Sequence, residues 1–353
     1  MADEPLFPLS DIAMDLAEAS LEALKSARDW ATIDADTHIS HPSLCEKLRA
    51  GHGDDYFHGR PISAEELLAE MEAASVDMAL SWQNPAATLY TNNEKENFEL
   101  LLAANEYVAD SARRYPDKLI PAGWTDPRHL GTERACRMVD HCVGKLGFGV
   151  VKLNPAQNEF AIDTAEANVV VDRIRQWGAV PAFHFGADTA FTPAAGLEKV
   201  AARIAPSPLI AVHMGGGGAS YLEAESLYIE SRRLGLRLPN IHFVCSARRE
   251  THTESDLITY QLAGEPFSRN ISLGSDAPYG RESWNFGGYR AMFYSLSDRR
   301  LSGMHLDSRV RKRSDLFGTD SIQNYMGRNI ADLMIRAYSG VISRSRVVSQ
   351  QAC

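Results

Sequence analysis

The chain has 353 residues, 44% of them apolar and 23% charged, which is enough apolar material for a large buried core and argues against disorder. Its net charge of −10 argues against a nucleic-acid-binding surface, which would be basic. Five scattered cysteines without a CxxC pair indicate free, mostly buried thiols in a reducing compartment. The chain also lacks a signal-peptide pattern and a long apolar span, so we expect a cytoplasmic protein with no membrane partner.

The predicted elements alternate between short β-branched runs and longer segments with helical periodicity. A helix predicted over 9–30 comes first, and we expect it to form a lid or a dimer arm. The predicted strands are 31–36, 76–82, 119–124, 148–153, 179–184, 209–213, 241–245 and 271–275. The clearest predicted helices between them are 64–74, 94–114, 132–143, 164–177 and 196–204, and the helix after the seventh strand has the weakest pattern.

Eight strands that each precede a helical segment predict an α/β fold, a parallel (β/α)8 TIM barrel. A doubly wound sheet is the alternative, but it would require a glycine-rich turn after the first strand, where this chain has Asp-Thr-His. Segments 41–62 and 298–320 lack an apolar period and are predicted to be long loops after strands 1 and 8. The predicted organisation is a helical extension (1–30), the barrel domain (31–340) and a C-terminal tail (341–353).

Metal-binding side chains recur where the predicted strands end. They are Asp36 and His38 after strand 1, His184 after strand 5, His213 after strand 6 and Asp276 after strand 8. Each alone could be a turn residue, a helix cap or a core histidine, but strand ends in a barrel converge on one mouth. This set suits one divalent ion, zinc or manganese, with Asp36, His38, His184 and Asp276 as ligands.

His213 is the less certain ligand, and we expect it to act with Asp276 in catalysis. Other residues near the strand ends could bind an anionic small-molecule substrate. The predicted substrate-binding residues are Lys152, Arg248, Arg281, Trp82 and Tyr279. Gly215–Gly218 is predicted to form a tight turn beside the site rather than a phosphate loop.

Ordered motifs between about Ile33 and Leu333 make the chain similar to a known family. They include RYPDKLIPAGWTDP at 114–127, GVVKLNP at 149–155, HFG, VHMGGG, GSDAPYG and NYMGRNIADLM at 324–334. In these motifs the chain resembles the amidohydrolase superfamily, in the branch of aminocarboxymuconate-semialdehyde decarboxylase and its lactonase and hydrolase relatives. The resemblance implies a metal-dependent barrel enzyme. It also implies an alternative for Lys152, since binuclear members of the superfamily have at this place a carboxylated lysine that bridges two metal ions. We expect a homo-oligomer, a dimer.

One position departs from the family pattern. The family usually begins His-x-His, whereas this chain has Asp36 at the first position. Two carboxylate ligands would largely neutralise a divalent ion, so the ion would be a weaker Lewis acid and a bound water would keep a higher pKa than in a three-histidine site. That tilts the expected metal slightly towards manganese.

Three functions remain open from the sequence. The first is hydrolysis of a small cyclic or aromatic carboxylate with an amide or lactone bond, with Asp276 as the base and His213 stabilising the oxyanion. The second is non-oxidative decarboxylation of an aromatic or muconate-type acid, with Asp276 or His213 protonating carbon. The third is a non-catalytic binding protein on the same barrel.

Overall fold

The computed structural model describes residues 6–49, 60–186, 190–217, 225–298 and 316–351. The strands are β1 (Ile33–Ile39), β2 (Met78–Gln83), β3 (Leu119–Pro121), β4 (Gly123–Trp124), β5 (Val150–Leu153), β6 (Val180–His184), β7 (Leu209–Val212), β8 (Ile241–Cys245) and β9 (Ile271–Leu273). The helices are α1 (Asp11–Ala27), α2 (Pro42–Arg49), α3 (Ala64–Ala74), α4 (Glu94–Arg114), α5 (Pro127–Leu130), α6 (Thr132–Asp140), α7 (Ala165–Gln176), α8 (Ala194–Ile204), α9 (Glu225–Gly235), α10 (Glu250–Ala263), α11 (Glu282–Asp298), α12 (Thr319–Gln323) and α13 (Asn329–Gln351). No helix in these ranges is long and apolar enough to cross a bilayer.

The strands are all parallel and close into a barrel. Hydrogen bonds join β1–β2–β3 and β4–β5–β6–β7–β8–β9. β3 and β4 are successive pieces of one strand, since only Ala122 separates them and its N–H donates to the carbonyl of Ser81 at 3.1 Å. The ends meet where the N–H of His38 donates to the carbonyl of Ala277 at 2.7 Å. The predicted (β/α)8 barrel is therefore confirmed, and the doubly wound sheet is excluded.

The predicted elements differ from the structure mainly outside the barrel strands. Segment 41–62, predicted to be a loop, contains α2, and segment 341–353, predicted to be a tail, is helical as far as Gln351 because α13 continues through it. The helix after the seventh predicted strand, which had the weakest sequence pattern, is α10. Of the predicted loop 298–320, residues 299–315 lie outside the described residues.

The N-terminal helix α1 packs on the outside of the barrel. It lies against α13, with Leu16 and Leu24 buried, and the N–H of Leu9 donates to the hydroxyl of Ser345 at 2.9 Å. None of its residues lines the cavity described below. Of the two predicted roles, the lid is therefore wrong, because the apolar face of the helix is used for packing against α13.

The cysteines that the structure describes are buried and form no disulfide with one another, in agreement with the prediction. They are Cys45, Cys136, Cys142 and Cys245. Burial raises the pKa of the Cys142 thiol to about 12, which makes it a poor nucleophile. Cys353 lies outside the described residues.

A buried histidine on β8 links the stability of the barrel to pH. His242 is hydrogen-bonded to the hydroxyl of Ser272 at 2.8 Å, and burial, with a smaller effect of the Arg336 charge, lowers its pKa to about 3. An unfolded histidine titrates near 6.5, so below that pH the unfolded chain binds a proton that the folded chain does not. The His242 contribution is complete above about pH 6.5 and is lost as the pH falls towards about 3.

We therefore expect the free energy of unfolding to fall by about 2 kcal/mol more in the wild type than in a His242→Gln variant between pH 7 and pH 5. Urea denaturation of both proteins at the two pH values measures this difference. Equal losses in the two proteins would show that His242 is not the linked group.

Candidate metal centre

Three side chains at one mouth of the barrel form a buried cluster with metal-ligand chemistry. Asp36 and His38 lie on β1, and Asp276 follows β9 and precedes Ala277, which forms a parallel β-bridge with Thr37 of β1. One ligand atom from each of the three lies within 4.8 Å of the others. The Nε2 atom of His38 is 3.4 Å from Oδ1 of Asp276 and 3.8 Å from Oδ1 of Asp36. The predicted convergence of these strand ends is therefore present in the structure.

The second ring nitrogen of His38 fixes which nitrogen can bind a metal. Its Nδ1 lies 2.8 Å from the carbonyl oxygen of Gln83. Because a carbonyl only accepts hydrogen bonds, Nδ1 carries the proton in the neutral ring and Nε2 keeps its lone pair. That lone pair belongs to the atom that lies close to both carboxylates, which is the usual arrangement of a ligating histidine.

Asp36 is held by three donors. Its Oδ1 accepts hydrogen bonds from Nζ of Lys152 and Nε1 of Trp82, both at 3.1 Å, and its Oδ2 accepts from the hydroxyl of Ser246 at 2.8 Å. Burial would raise the pKa of Asp36, but the Lys152 ammonium and the nearby polar groups hold that pKa below its ordinary value. Asp36 is therefore an anion, and a carboxylate has about four lone-pair positions, so one remains for a metal ion.

Lys152 contacts Asp36 from a pocket of aromatic rings. Its Nζ lies 4.9 Å from the centre of the Trp82 ring and 5.2 Å from that of Trp124. A carboxylated lysine would put an anion against Asp36 and against the negative faces of both rings, whereas an ammonium is favoured by all three. These contacts argue against the binuclear alternative.

Two further histidines complete the wall behind the cluster. The rings of His184 and His213 pack edge to face with centres 4.5 Å apart. Burial lowers the pKa of His184 well below its ordinary value, with a further effect of His213. Burial also lowers the pKa of His213, although Asp276 and Asp36 oppose it. Both rings are therefore expected to be neutral at pH 7.

The hydrogen bonds of His213 decide its tautomer. Its Nδ1 lies 2.9 Å from the hydroxyl of Ser246, whose single proton is donated to Asp36. Ser246 must then accept from His213, so Nδ1 carries the proton and Nε2 has the lone pair. A neutral His213 can accept a proton or a hydrogen bond through Nε2 but cannot donate one there.

The backbone around the cluster is held in unusual conformations. Six of the described non-glycine residues have positive φ angles, and four of them lie around the cluster: His213, Met214, Ala247 and Asp276, at 77°, 44°, 45° and 61°. Such residues cost about 1–3 kcal/mol each and often lie at functional sites. A Cβ on Gly217 would lie 2.9 Å from the His213 ring, which agrees with the predicted tight turn, although Gly218 lies outside the described residues.

A cavity of about 800 Å³ opens at this mouth of the barrel. It is lined by His38, Pro85, Ala86, Trp124, Lys152, Asn154, Ala156, Gln157, His184, His213, Gly217, Ala247, Arg248, Ser275, Asp276, Tyr279, Gly280 and Asn285. Seven of the predicted site residues are in this set, and Asp36 lies directly behind it through its contact with Lys152. Its volume suits a small molecule such as a substituted ring.

Two predicted substrate-binding residues do not line the cavity. Trp82 is fully buried and donates to Asp36, so it supports the cluster from behind instead of forming a wall. The guanidinium of Arg281 stacks on the ring of Trp284, with its carbon 5.3 Å from the ring centre. The direction of a side chain at a strand end cannot be read from its position in the sequence. The burial of Trp82 argues against a direct substrate contact, and the role of Arg281 in substrate binding stays a prediction.

Two other predicted substrate residues line the cavity but have protein partners. The guanidinium of Arg248 is bound to Asp256 and donates to the carbonyl of Met214 at 2.9 Å. The hydroxyl of Tyr279 donates to Oδ1 of Asn84 at 2.9 Å. Arg248 therefore stabilises the loop after β8, and its carboxylate partner weakens the case for it as the substrate anchor.

Sequence reasoning missed the residue that joins the two halves of the site. Ser246 follows β8 directly and contacts both Asp36 and His213, so the strand-end rule would have found it had serine been included. The carboxamides of Asn154, Gln157 and Asn285 also line the cavity. Nothing in their sequence context distinguishes them from surface amides.

The donors suit a divalent ion. Two carboxylates and an imidazole with its Nε2 lone pair facing them are ligands for zinc or manganese, and His184 lines the same cavity. The charges of these side chains also suit a divalent cation, because Asp36 and Asp276 are buried close together, where two uncompensated anions would be unfavourable. Lys152 compensates only one of them.

The geometry defines a TIM barrel with a candidate metal centre at the carboxyl ends of its strands. No protein-family model and no curated protein matches the chain. Solved structures do match: 2,6-dihydroxybenzoate decarboxylase from Rhizobium is 13% identical with a TM-score of 0.60, over 86% of this chain and 98% of that one. The 5-carboxyvanillate decarboxylase of Novosphingobium aromaticivorans, complexed with manganese, is 14% identical with a TM-score of 0.58, over 87% and 96%.

A putative amidohydrolase from Staphylococcus aureus is also similar, at 12% identity and a TM-score of 0.56, over 86% of this chain and 99% of that one. Likeness at these identities shows the fold. The names of these proteins agree with the branch of the amidohydrolase superfamily that the sequence motifs resemble.

The role of His213 can be separated from metal binding. His213→Asn removes the proton-accepting Nε2, and asparagine tolerates a positive φ. We expect near-normal metal content and a turnover lower by roughly 100-fold, as for a lost acid–base group. Elemental analysis and turnover of the same preparation measure both, and loss of the metal would identify His213 as a ligand instead.

Proposed function

We propose that this protein is a metal-dependent, non-oxidative decarboxylase of a hydroxylated aromatic carboxylic acid. It would hold one divalent ion, manganese or zinc, with Asp36, His38, His184 and Asp276. The ion would bind the substrate carboxylate and a neighbouring hydroxyl oxygen. Hydrolysis, the main expectation from the sequence, becomes the alternative outcome of the assay described below.

The tautomer of His213 carries this proposal. The hydrolase hypothesis needs His213 to donate a hydrogen bond to a developing oxyanion. In the network with Ser246 and Asp36, the Nδ1 proton is already used and Nε2 is an acceptor. A doubly protonated ring could donate, but burial lowers the pKa of His213 and opposes that form. A decarboxylase has no need of this donor.

The carboxylates of the proposed metal site also favour decarboxylation over hydrolysis. Asp36 and Asp276 would together balance the charge of a divalent ion, which weakens it as an activator of water. Loss of CO2 requires neither an electrophilic carbonyl nor an acidic bound water. The ion would then serve mainly to bind and orient an anionic substrate.

Asp276 is the proposed proton carrier. It would take the proton of the phenolic hydroxyl and deliver it to the ring carbon that bears the carboxylate. The bond between that carbon and the carboxylate then breaks, CO2 leaves, and the electron pair returns to the ring. The resulting phenolate takes a proton from solvent, so the net reaction consumes one proton. His213 would accept a hydrogen bond from a further polar hydrogen of the substrate through Nε2.

The cavity walls suit a flat ring with polar substituents. Pro85, Trp124 and Tyr279 offer flat apolar surfaces, and the amides of Asn154 and Gln157 offer neutral hydrogen-bonding groups. Two neighbours of the same fold are named for decarboxylation of aromatic acids, and one of those structures contains manganese.

The test is a panel assay on protein reconstituted with Mn²⁺ or Zn²⁺. Hydroxybenzoates are followed for CO2 release, and lactones and anilides of similar size are followed for hydrolysis. We expect CO2 release from at least one hydroxybenzoate and its loss on chelation. Hydrolysis without CO2 release would reject the decarboxylase proposal in favour of the hydrolase, and a protein active on neither panel that retains no metal would favour the binding-protein alternative.

A further inference from the structure

Lys152 is a cation that contacts Asp36, the same carboxylate that a metal ion would use as a ligand. It is the third residue of β5, with 1% of its side chain exposed, and its Nζ lies 3.1 Å from Oδ1 of Asp36. A buried ammonium is costly unless an anion and other favourable contacts compensate it. Here Asp36 and the faces of Trp82 and Trp124 provide that compensation.

The same carboxylate oxygen has a second, neutral donor at the same distance. Nε1 of Trp82 also lies 3.1 Å from Oδ1 of Asp36. Trp82 and Lys152 therefore make geometrically similar hydrogen bonds to one atom but differ by a unit of charge. This pair allows the effect of the charge to be separated from the effect of hydrogen bonding.

We propose that Lys152 is a resident counter-cation that competes with the divalent ion for Asp36 and thereby lowers the affinity of the site for metal. The inference rests on the metal site of the proposed function but not on its reaction. In the metal-free protein, Lys152 keeps the buried Asp36 anion compensated. When the ion binds, the ammonium becomes a like charge a few ångströms from it.

The physical effect is large because the site is buried. Like charges about 5 Å apart repel far more strongly in a protein interior than in water. The ion must also share a carboxylate whose other lone pairs are already used by Lys152, Trp82 and Ser246. Removing the lysine charge relieves this repulsion. The Asp36 carboxylate is then no longer partly neutralised by the ammonium and attracts the ion more strongly.

The experiment measures Mn²⁺ binding to chelator-treated protein by titration calorimetry. Lys152→Gln keeps a hydrogen-bond donor but removes the charge, and we expect it to bind Mn²⁺ at least about tenfold more tightly than the wild type. Trp82→Phe removes the neutral donor from the same oxygen, and we expect it to bind Mn²⁺ no more tightly than the wild type, because losing a neutral hydrogen-bond partner of a metal ligand lowers metal affinity. Lys152→Met is the second charge-removing variant should the glutamine variant fold poorly.

Thermal melts provide an independent readout. Without metal, Lys152→Gln should melt below the wild type because Asp36 loses its counter-ion. Added Mn²⁺ should therefore raise its melting temperature by more than it raises that of the wild type.

Equal or weaker Mn²⁺ binding in the charge-removing variants would overturn the inference, and so would equal tightening in Trp82→Phe or an absence of binding in every protein. Tight binding by Lys152→Gln alone would support it. A wild type that binds Mn²⁺ but releases no CO2 would reject the proposed function and leave this inference standing.

Discussion

Asp276→Asn should reduce turnover to near background, by about 1,000-fold or more, while the barrel remains folded. The carboxylate lies 3.4 Å from Nε2 of His38 and lines the cavity, so it can bind the metal ion and reach the substrate. Asparagine has nearly the same shape but neither the charge nor the basicity. It also tolerates the φ angle of 61° found at this position.

The structural contribution of Asp276 comes from its backbone. Its N–H donates to the carbonyl of Asp36 at 2.9 Å, and its carbonyl accepts from the N–H groups of Tyr279 and Gly280. These bonds survive the substitution, so we expect the melting temperature to stay within a few degrees of the wild type. Turnover of the Mn²⁺-loaded protein and a thermal melt are the measurements.

A matched control is Asp163→Asn, which makes the same chemical change at the 2.8 Å ion pair with Lys199 away from the cavity and should leave turnover unchanged. Wild-type turnover in Asp276→Asn would exclude Asp276 from the chemistry. A collapse of its melting temperature would show that the carboxylate is mainly a structural cap.

The sequence predicted the barrel well because the signal is repeated. Each strand is a short buried run followed by a helix, and one imprecise boundary does not change the topology. β8 was predicted with its observed bounds, and β1 was displaced by two to three residues. The convergence of Asp36, His38 and Asp276 could be predicted for the same reason, because parallel strand ends meet at one mouth of a barrel.

The contacts of the candidate substrate-binding residues could not be predicted, because they depend on side-chain direction and on partners distant in the sequence. Arg248 could be placed near the mouth, but its pairing with Asp256 arises from the packing of α10. Trp82 was expected in the cavity wall and instead donates to Asp36 from behind. A sequence shows the chemistry of each side chain, but not which neighbouring group that side chain contacts in the folded protein.

The loops were misjudged where apolar periodicity was weak. α2 forms in a segment that gave no clear apolar period, and α13 continues through 341–351, which was predicted to be part of a C-terminal tail. Val341 and Ile342 are nevertheless buried on α13, so tertiary packing stabilises a helix that the local sequence pattern does not predict.

His38→Gln should abolish metal retention, with a loss of at least about 100-fold in Mn²⁺ affinity. Removing only the hydrogen-bond partner of a metal ligand can lower affinity by up to about 100-fold, and this change removes a ligand itself. The Nδ1 hydrogen bond to Gln83 holds the ring so that Nε2 faces Asp36 and Asp276. Glutamine offers only a neutral amide oxygen on a flexible chain, which is a poor substitute for an oriented imidazole. Calorimetry and the metal content after dialysis measure the loss.

Activity should recover in part when Mn²⁺ is supplied in excess to His38→Gln, because the proposed proton carrier Asp276 is intact, whereas Asp276→Asn should not recover. The control is His129→Gln, since His129 is paired with Asp126 at 2.7 Å and does not line the cavity. It should retain metal as the wild type does. Wild-type Mn²⁺ affinity in His38→Gln would mean that the ion binds elsewhere, and the assignment of the centre to Asp36, His38 and Asp276 would then be wrong.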